Sequence, residues 1–435
     1  MREEGIIAER LRASVRALRH RNYRVYFFAM LVSFTGTWMQ SVAQSWLVYR
    51  LTGSAFLLGL VGFAGQVPVF LFAPLGGVMA DRHSRHRIII LTQTLAMIQA
   101  FALAALTLSG RVSVGAVFAL AIMLGVVNAF DLPTRQSFMV EMVGRDDLMN
   151  AIALNSSMIQ GSRVIGPAIA GLMLKWVGEG LCFLINGLSY IVIIAGLLTI
   201  RISGRQTDKP DDSPIKNLIE GFDYIRRERP VRALLLLVAF VSIFGLPYIV
   251  LMPVFASDVL KGGPGTLGIL MGAAGVGALA GAFSLALRRQ IQGLGRIPAL
   301  SAAAFGLLLI LFSLSRNLIL SSALLAFVGF TLLLQMSSSN TLVQTIIPDR
   351  MRGRMMSFYS MSLMGMAPFG SLLSGAVAAR IGAPETVAAG GALCVLAAIL
   401  FYVRIPELRL EAVPAIVAQA PLPGEPSEIS TVPTE

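Results

Sequence analysis

The chain has 435 residues, of which 56% are hydrophobic and 13% are charged, and its formal net charge is +12. A globular domain carries about 25% charged residues, so the composition argues against an ordinary water-soluble protein and predicts one solvated mostly by lipid. A positive net charge would suit nucleic-acid binding, but the positions of the basic residues along the chain indicate a different role for this charge.

Apolar stretches recur along most of the chain, and each is long enough to cross a hydrocarbon core of ~30 Å as a helix. We count twelve, at roughly 24–48, 56–80, 88–109, 113–135, 150–175, 180–200, 232–256, 265–287, 297–315, 317–346, 355–379 and 385–404. We therefore predict an all-α polytopic membrane protein with twelve transmembrane helices.

Lysine and arginine are distributed very unevenly about these spans. Following the chain through twelve crossings, 28 of the 35 basic residues fall on one side and 6 on the other, while Arg163 lies within a span. Such an asymmetry marks the cytoplasmic side of an inner-membrane protein. It predicts that both termini are cytoplasmic, and we expect no nucleic-acid partner because the basic charge sets topology.

The first span contains Gln40 and Gln44 on one helical face, where their amides could contact a substrate in a central cavity. Gln66 in the second span and Asn155 and Gln160 in the fifth are similar candidates. For each of them the alternative is a hydrogen bond between helices, worth ~0.6 kcal/mol.

A basic loop with a single acid joins the second and third spans. It contains Gly77, Asp81, Arg82 and Arg85. We expect Asp81 to cap a neighbouring helix and Arg85 to pair with Glu141 at the cytoplasmic end of the fourth span. Contacts that hold in one conformation and break in the other would form a gate. The alternative is that the arginines only anchor the topology.

The fourth span carries an acid, Asp131, four residues before Arg135. A charge inside a span costs at least about 2.5–3.5 kcal/mol, so an embedded acid is a functional hypothesis by default. Asp131 is the best candidate for a proton carrier. The alternative is a permanent ion pair with Arg135 or with Arg163, which would hold the carboxylate ionised.

The fifth span combines glycines, a proline and a buried cation in the run from Gly161 to Gly171, which includes Arg163, Gly166 and Pro167. Small residues let helices approach closely, and proline bends a helix. Packing explains the glycines but not Arg163. We therefore expect Arg163 to face the cavity or to join a charge network with Asp131.

Polar segments divide the chain into five predicted regions. They are a basic N-terminus (1–23), a first half (24–200), a linker with an amphipathic helix (201–230), a second half (231–405) and a disordered tail (406–435). Cys182 and Cys394 fall within spans and are expected to be packing residues. The sequence contains no recognisable enzyme or metal-binding motif.

Several of these motifs resemble those of a known family. The run Gly-x-x-x-Asp-Arg-x-x-Arg from Gly77 resembles the loop between helices 2 and 3 of major facilitator superfamily transporters, although Ser84 stands where that family usually has Gly. Other elements are similar to the bacterial enterobactin/macrolide exporter branch of drug:proton antiporters. They are Trp38-Met-Gln, Trp46-Leu-Val-Tyr, Leu51-Thr-Gly-Ser54, Asn128-Ala-Phe-Asp131 and Arg163-Val-Ile-Gly-Pro167.

The resemblance implies two pseudo-symmetric six-helix bundles with the substrate between them. It also implies secondary active efflux of a small amphipathic molecule, such as a drug-like compound or a siderophore. A proton gradient would be the energy source, without any bound cofactor. The expected partners are the substrate and the lipid bilayer, and the protein is expected to act as a monomer. The alternatives are a metabolite uptake carrier of the same fold and a non-transporting membrane scaffold or receptor.

Overall fold

The computed structural model describes residues 15–144, 146–200, 214–287 and 296–417, and within these ranges the chain is helical and contains no strand. We label the longer helices α1 (Arg21–Thr52), α2 (Ala55–Arg82), α3 (Arg85–Leu108), α4 (Val114–Val143), α5 (Leu148–Trp176), α6 (Gly178–Thr199), α7 (Pro214–Arg227), α8 (Arg229–Val259), α9 (Pro264–Leu287), α10 (Ile297–Leu314) and α11 (Leu318–Ile346). The last two are α12, composed of Asp349–Ser360, Met361–Gly365 and Ala367–Ile381, and α13 (Ala383–Val417).

Ten of the described helices are long and apolar enough to cross a membrane: α2, α3, α4, α6 and α8 to α13. The prediction of an all-α membrane protein is therefore confirmed. The two remaining long helices, α1 and α5, contain 32 and 29 residues. They are less apolar because they carry most of the polar candidates named above, including Gln40 in α1 and Arg163 in α5.

Short connections with local capping reverse the chain between helices. Gly53 ends α1 with a φ of 59°, a left-handed conformation that suits glycine. The Ser54 hydroxyl then accepts a hydrogen bond from the Leu57 amide at 3.3 Å and starts α2. Ser113 begins α4 and Asn317 begins α11 in the same way. Such short turns make consecutive helices antiparallel neighbours.

The helices therefore present two ends, which we name by their charge. The basic end contains the connection between α2 and α3, with Arg82 and Arg85, and the beginning of α8. The opposite end contains the turns at Gly53, Val177 and Gly382. α1 packs against α5 and α6, α2 against α4, and α3 against α6, while α9 packs against α11 and α10 against α13. α2 also packs against α12, and α5 against α9.

Two helices depart from regular α-helix at the same depth. α8 contains two π-helical segments, Val241–Gly245 and Phe255–Val259, and a 3₁₀ segment, Leu246–Ile249, between them. α12 contains the π-helical segment Met361–Gly365. The segments Val241–Gly245 and Met361–Gly365 are in contact, because the Ser242 hydroxyl donates a hydrogen bond to the Leu363 carbonyl. π-Helical turns often mark functional sites.

The predicted amphipathic helix is present as α7 and lies against α12 at the basic end. Arg354 of α12 forms an ion pair with Glu220, and a Cβ on Gly221 would lie 2.6 Å from the Phe358 ring. Ile219 and Phe222 are exposed on another face of α7, as expected for a helix at a membrane surface.

The chain end differs from the prediction of disorder from residue 406. α13 continues to Val417, because this stretch is rich in strong helix formers such as Leu408, Leu410 and Ala412. The rest of the predicted tail, 418–435, lies outside the described residues, as do 1–14 of the N-terminus and 201–213 of the linker.

Candidate functional site

A buried cluster surrounds Asp131 in α4. Its carboxylate is 2.7 Å from Nε of Arg135, one turn later on the same helix. Two side chains of α3 also bind it: the Thr92 hydroxyl donates at 2.7 Å and the Gln93 amide at 3.0 Å. Asp131 is 2% exposed, so a counter-ion and hydrogen bonds replace the water that its charge would otherwise need.

Arg135 contacts residues of α1 as well as Asp131. Its guanidinium carbon lies 4.7 Å from the centre of the Phe34 ring, and its NH1 donates to the Met30 sulfur at 3.6 Å. The sequence allowed either Arg135 or Arg163 as the partner of Asp131. The structure brings Arg135 to it and places Arg163 in a separate environment.

The residues predicted to form a gate meet at the basic end. The Arg85 guanidinium lies 2.7 Å from the Glu141 carboxylate and 3.6 Å from the Asp81 carboxylate, and its Nε donates to the Ala80 carbonyl at 3.2 Å. The acids belong to α2 and α4, so these contacts tie the first helices together. Arg82 is exposed, as expected for a topology anchor.

A cavity lies between helices of the two halves of the chain. Trp38 comes from α1, Arg163 from α5 and Tyr248 from α8, and apolar residues of α9 and α11 complete the wall. The full lining is Trp38, Arg163, Pro167, Tyr248, Ile249, Met252, Leu270, Met271, Ala274, Gly275, Ala278, Gly329, Leu332, Leu333 and Met336. A largely apolar cavity with few polar groups is typical of a small-molecule site.

Arg163 supplies the charge of this cavity. Its guanidinium carbon lies 5.2 Å from the centre of the Trp38 ring, a cation–π arrangement. Trp38 is fixed from behind by Gly166, where a Cβ would lie 2.5 Å from the Trp38 Cβ. The glycine one turn after Arg163 therefore lets α1 approach α5 and sets the position of the indole under the guanidinium.

The remaining glycines of the α5 motif differ in their surroundings. A Cβ on Gly171 would lie 2.7 Å from Cα of Gly268 in α9, so this pair sets the contact between α5 and α9. The described residues leave open space beside Gly161 and beside Gly77 of the gating loop. Among the described residues, no close contact in this conformation requires glycine at position 161 or 77.

The five polar candidates lie outside the described lining of the cavity. Gln40 is buried between helices: its Nε2 donates to Gln99 at 3.0 Å, and its Oε1 accepts from Asn186 at 2.7 Å. Its amide thus bonds α1 to α3 and α6. Gln66 is exposed and donates to the Gly62 carbonyl at 3.3 Å. Gln44, Asn155 and Gln160 are partly buried.

Three further polar contacts were not predicted from the sequence. At the opposite end, the Tyr49 hydroxyl of α1 donates to the Asp258 carboxylate of α8, and this contact joins the two halves of the chain. Close by, Arg50 is 2.6 Å from Glu179 of α6. Each pair joins residues more than 120 positions apart, which a pattern in one sequence does not reveal.

The third contact lies at the basic end and surrounds Asp147, just before α5. His20 lies 2.6 Å and Arg19 3.0 Å from its carboxylate, and Arg16 also contacts it. The hydrogen bond to His20 is the largest cause that lowers the pKa of Asp147 to about 2, with further contributions from Arg16 and Arg19 that act against burial. The segment before α1 is thereby held against α5.

Two curated proteins similar to this chain over most of its length carry transport names. The staphyloferrin A transporter of Staphylococcus aureus (strain NCTC 8325 / PS 47) is 25% identical over 89% of this chain and 97% of its own. The enterobactin exporter EntS of Shigella boydii serotype 4 (strain Sb227) is 25% identical over 90% of this chain and 93% of its own.

Solved structures and a family model agree with these relatives. A D-xylose-proton symporter matches with a TM-score of 0.72 and 13% identity over 90% of this chain and 99% of its own, which shows a shared fold. The family described as transmembrane secretion effector matches residues 13–427. With its membrane-length helices and the cavity between its halves, the chain is a membrane transporter rather than an enzyme and belongs to this major facilitator family.

Proposed function

We propose that the protein exports small amphipathic molecules by proton antiport, and that α1–α6 and α8–α13 form two six-helix bundles that move about the central cavity. The observation that carries this proposal is the cavity itself, because α1 and α5 form one wall and α8, α9 and α11 form the other. A site built from both halves can be opened to either side when the halves rock. The name of one relative, the enterobactin exporter EntS, supports efflux.

In this proposal α1 and α5 also cross the membrane, and the basic end faces the cytoplasm with both termini. The excess of Lys and Arg at that end supports the orientation. Close contacts of α2 with α12 and of α5 with α9 lie at the opposite end, where a Cβ on Gly59 would lie 2.9 Å from Cα of Gly375. This pattern supports a state closed to the outside.

Proton coupling would act through the Asp131 cluster. Protonation of Asp131 removes the ion pair with Arg135 and leaves that cation to its contacts with Phe34 and Met30 of α1. Because α1 also carries Trp38, a change at this cluster can reach the cavity through one helix. The charged pair and the protonated acid would then favour different positions of α1.

The test uses everted membrane vesicles energised to an acid interior. Adding a transported siderophore, macrolide or lipophilic dye should collapse the pH gradient, because each inward movement of substrate releases a proton. Asp131→Asn should lower the initial rate by at least about tenfold, in keeping with a group that must change charge during the cycle. The matched control is Asp223→Asn, which makes the same change on the exposed surface of α7.

Equal amounts of inserted protein must be confirmed for each variant. If the substrate still collapses the pH gradient with Asp131→Asn, the result would contradict the role of Asp131 as proton carrier but would agree with antiport. Substrate movement in the other direction would support a metabolite uptake carrier. Absence of movement with every compound would contradict export of this compound class and favour a scaffold or receptor.

A further inference from the structure

We propose that Arg163 binds the anionic group of the transported molecule, so that the cavity selects an aromatic amphiphile with a negative charge. The inference rests on the proposed function and adds the chemical class of the substrate to it. It is carried by three observations: the charge of the cavity, the aromatic residues of its lining and the apolar residues that α8, α9 and α11 add to the lining.

The charge of the lining is unbalanced. Among the described residues that line the cavity, Arg163 has a charged side chain and the others are neutral. The ion pairs of the described residues do not include Arg163. The Asp131 carboxylate forms an ion pair with Arg135, and the Asp258 carboxylate accepts a hydrogen bond from Tyr49. A cation at this depth is costly without a counter-charge, which an anionic ligand would supply.

Two aromatic residues flank the cation. The Trp38 indole lies against the guanidinium on the α1 side, and Tyr248 lines the cavity from the 3₁₀ segment of α8. A guanidinium presents its donors in a planar fork that suits a carboxylate, while a neighbouring indole offers a flat apolar surface. A ligand with an anionic group next to an aromatic ring would satisfy both.

The part of the lining that α8, α9 and α11 form suits the apolar body of such a ligand. Leu270 and Met271 of α9 and Met336 of α11 line it, and Met252 of α8 adjoins them. Methionine side chains are flexible and polarisable, and they adapt to ligands of different shape. The cavity therefore combines an anion-binding group on α5, held by Trp38 of α1, with adaptable apolar residues from α8, α9 and α11.

The test measures binding with Trp38 as the reporter. The chain has three tryptophans, so Trp46→Phe and Trp176→Phe leave Trp38 alone. Energy transfer from Trp38 to pyrene is recorded in detergent with three matched probes: pyrenebutyrate, which is anionic, pyrenebutanol, which is neutral, and pyrenebutylamine, which is cationic. The butyrate should bind about tenfold more tightly than the butanol, the difference expected for a charge-assisted hydrogen bond.

Variants at position 163 separate charge from shape. Arg163→Lys should keep the preference for the anion, Arg163→Gln should abolish it, and Arg163→Glu should reverse it in favour of the amine. Unfolding temperatures of the variants identify any that fail to fold. Equal binding of the three probes by the parent, absence of binding, or a preference that is the same in every folded variant would overturn the proposal.

The binding and vesicle assays can fail independently. Anion preference without any substrate-dependent proton movement would leave this site intact and contradict the proposed efflux. Efflux of neutral or cationic compounds by a protein without anion preference would support the transport function and remove Arg163 as the anion-binding residue.

Discussion

Two arginines of the first half show how a buried cation is balanced in different ways. Arg135 has an acid one turn away and an aromatic ring from α1, so its charge is compensated within the protein. Arg163 has the Trp38 ring and faces a cavity. In our proposals the first arrangement responds to protonation of Asp131, and the second leaves the guanidinium of Arg163 available to an anionic ligand.

Asp147 provides a prediction for the basic end. Asp147→Asn should release the segment with Arg16, Arg19 and His20, because its carboxylate holds all three side chains. Amide hydrogen exchange of residues 15–20 should accelerate by roughly two- to fivefold, the range expected for ion pairs whose basic partners are exposed to solvent. Asp146→Asn is the matched control. An unchanged exchange rate in Asp147→Asn would show that the segment is held by other contacts.

The lowered pKa of Asp147 gives this contact a defined pH dependence. Its pKa falls from the ordinary value of 3.8 to about 2 in the folded protein, so folding favours the ionised carboxylate. The stabilisation is present above the ordinary pKa and is lost as the pH falls through about 2. Protection factors of residues 15–20 should therefore still be high at pH 5. A loss of protection already at pH 5 would contradict the assignment.

At the scale of the helix, the positions of the glycines determine where two helices can come into close contact. Gly171 meets Gly268 at a distance that leaves no room for a Cβ, while Gly161, ten residues earlier on α5, faces open space. Helices of a membrane protein depend on such small residues for close packing. The two positions therefore provide a matched pair of substitutions on one helix.

Gly171→Ala should separate α5 from α9 at the opposite end, because the added methyl group meets backbone rather than a flexible side chain. Overpacking of this kind costs about 1–3 kcal/mol. Distances between spin labels at Ser109→Cys and Ile319→Cys, both exposed at that end, should shift towards longer values. Gly161→Ala should leave them unchanged. Equal distributions in both variants would mean that this contact does not set the closed end.

At the scale of the whole molecule, Tyr49 and Asp258 join the halves across the opposite end. Tyr49→Phe removes the hydrogen bond and should open this end more often, by up to about tenfold for a bond to a charged group. Reaction of Met336→Cys, in the cavity, with a membrane-impermeant maleimide added from outside should accelerate accordingly. The native cysteines, Cys182 and Cys394, are buried.

Tyr402→Phe is the matched control for this experiment, since Tyr402 is 43% exposed on α13. Asp258→Asn should accelerate labelling like Tyr49→Phe, and the double variant should add little, because the two residues share one contact. Additive effects of the two substitutions would show that they act separately and would contradict a shared contact between the halves.

The sequence predicted what depends on short-range spacing. The membrane-length helices follow from runs of apolar residues, and α7 follows from its amphipathic period. The contact of Asp131 with Arg135 follows from their separation by one turn, and that of Arg85 with Glu141 from their places beside the same end. Their functional roles stay predictions.

The cavity could not be predicted in the same way. Which face of α1 points inwards depends on its rotation against α5 and α6, and the structure turns Trp38 to the cavity and Gln40 to the neighbouring helices. An amide gains more from Asn186 and Gln99, which are fixed partners, than from an adaptable apolar site. Contacts such as Tyr49 with Asp258 depend on how the halves meet, which no local pattern encodes.

The irregular helical segments lie in a different half of the protein from the buried contacts of Asp131 and Gln40. Within the described residues, the π-helical segments all lie in α8 and α12, while the buried ion pair of Asp131 and the amide contacts of Gln40 lie in α1–α6. We therefore expect substitutions of the cavity-lining methionines of the later half to change the cavity and to leave these polar contacts of the earlier half in place.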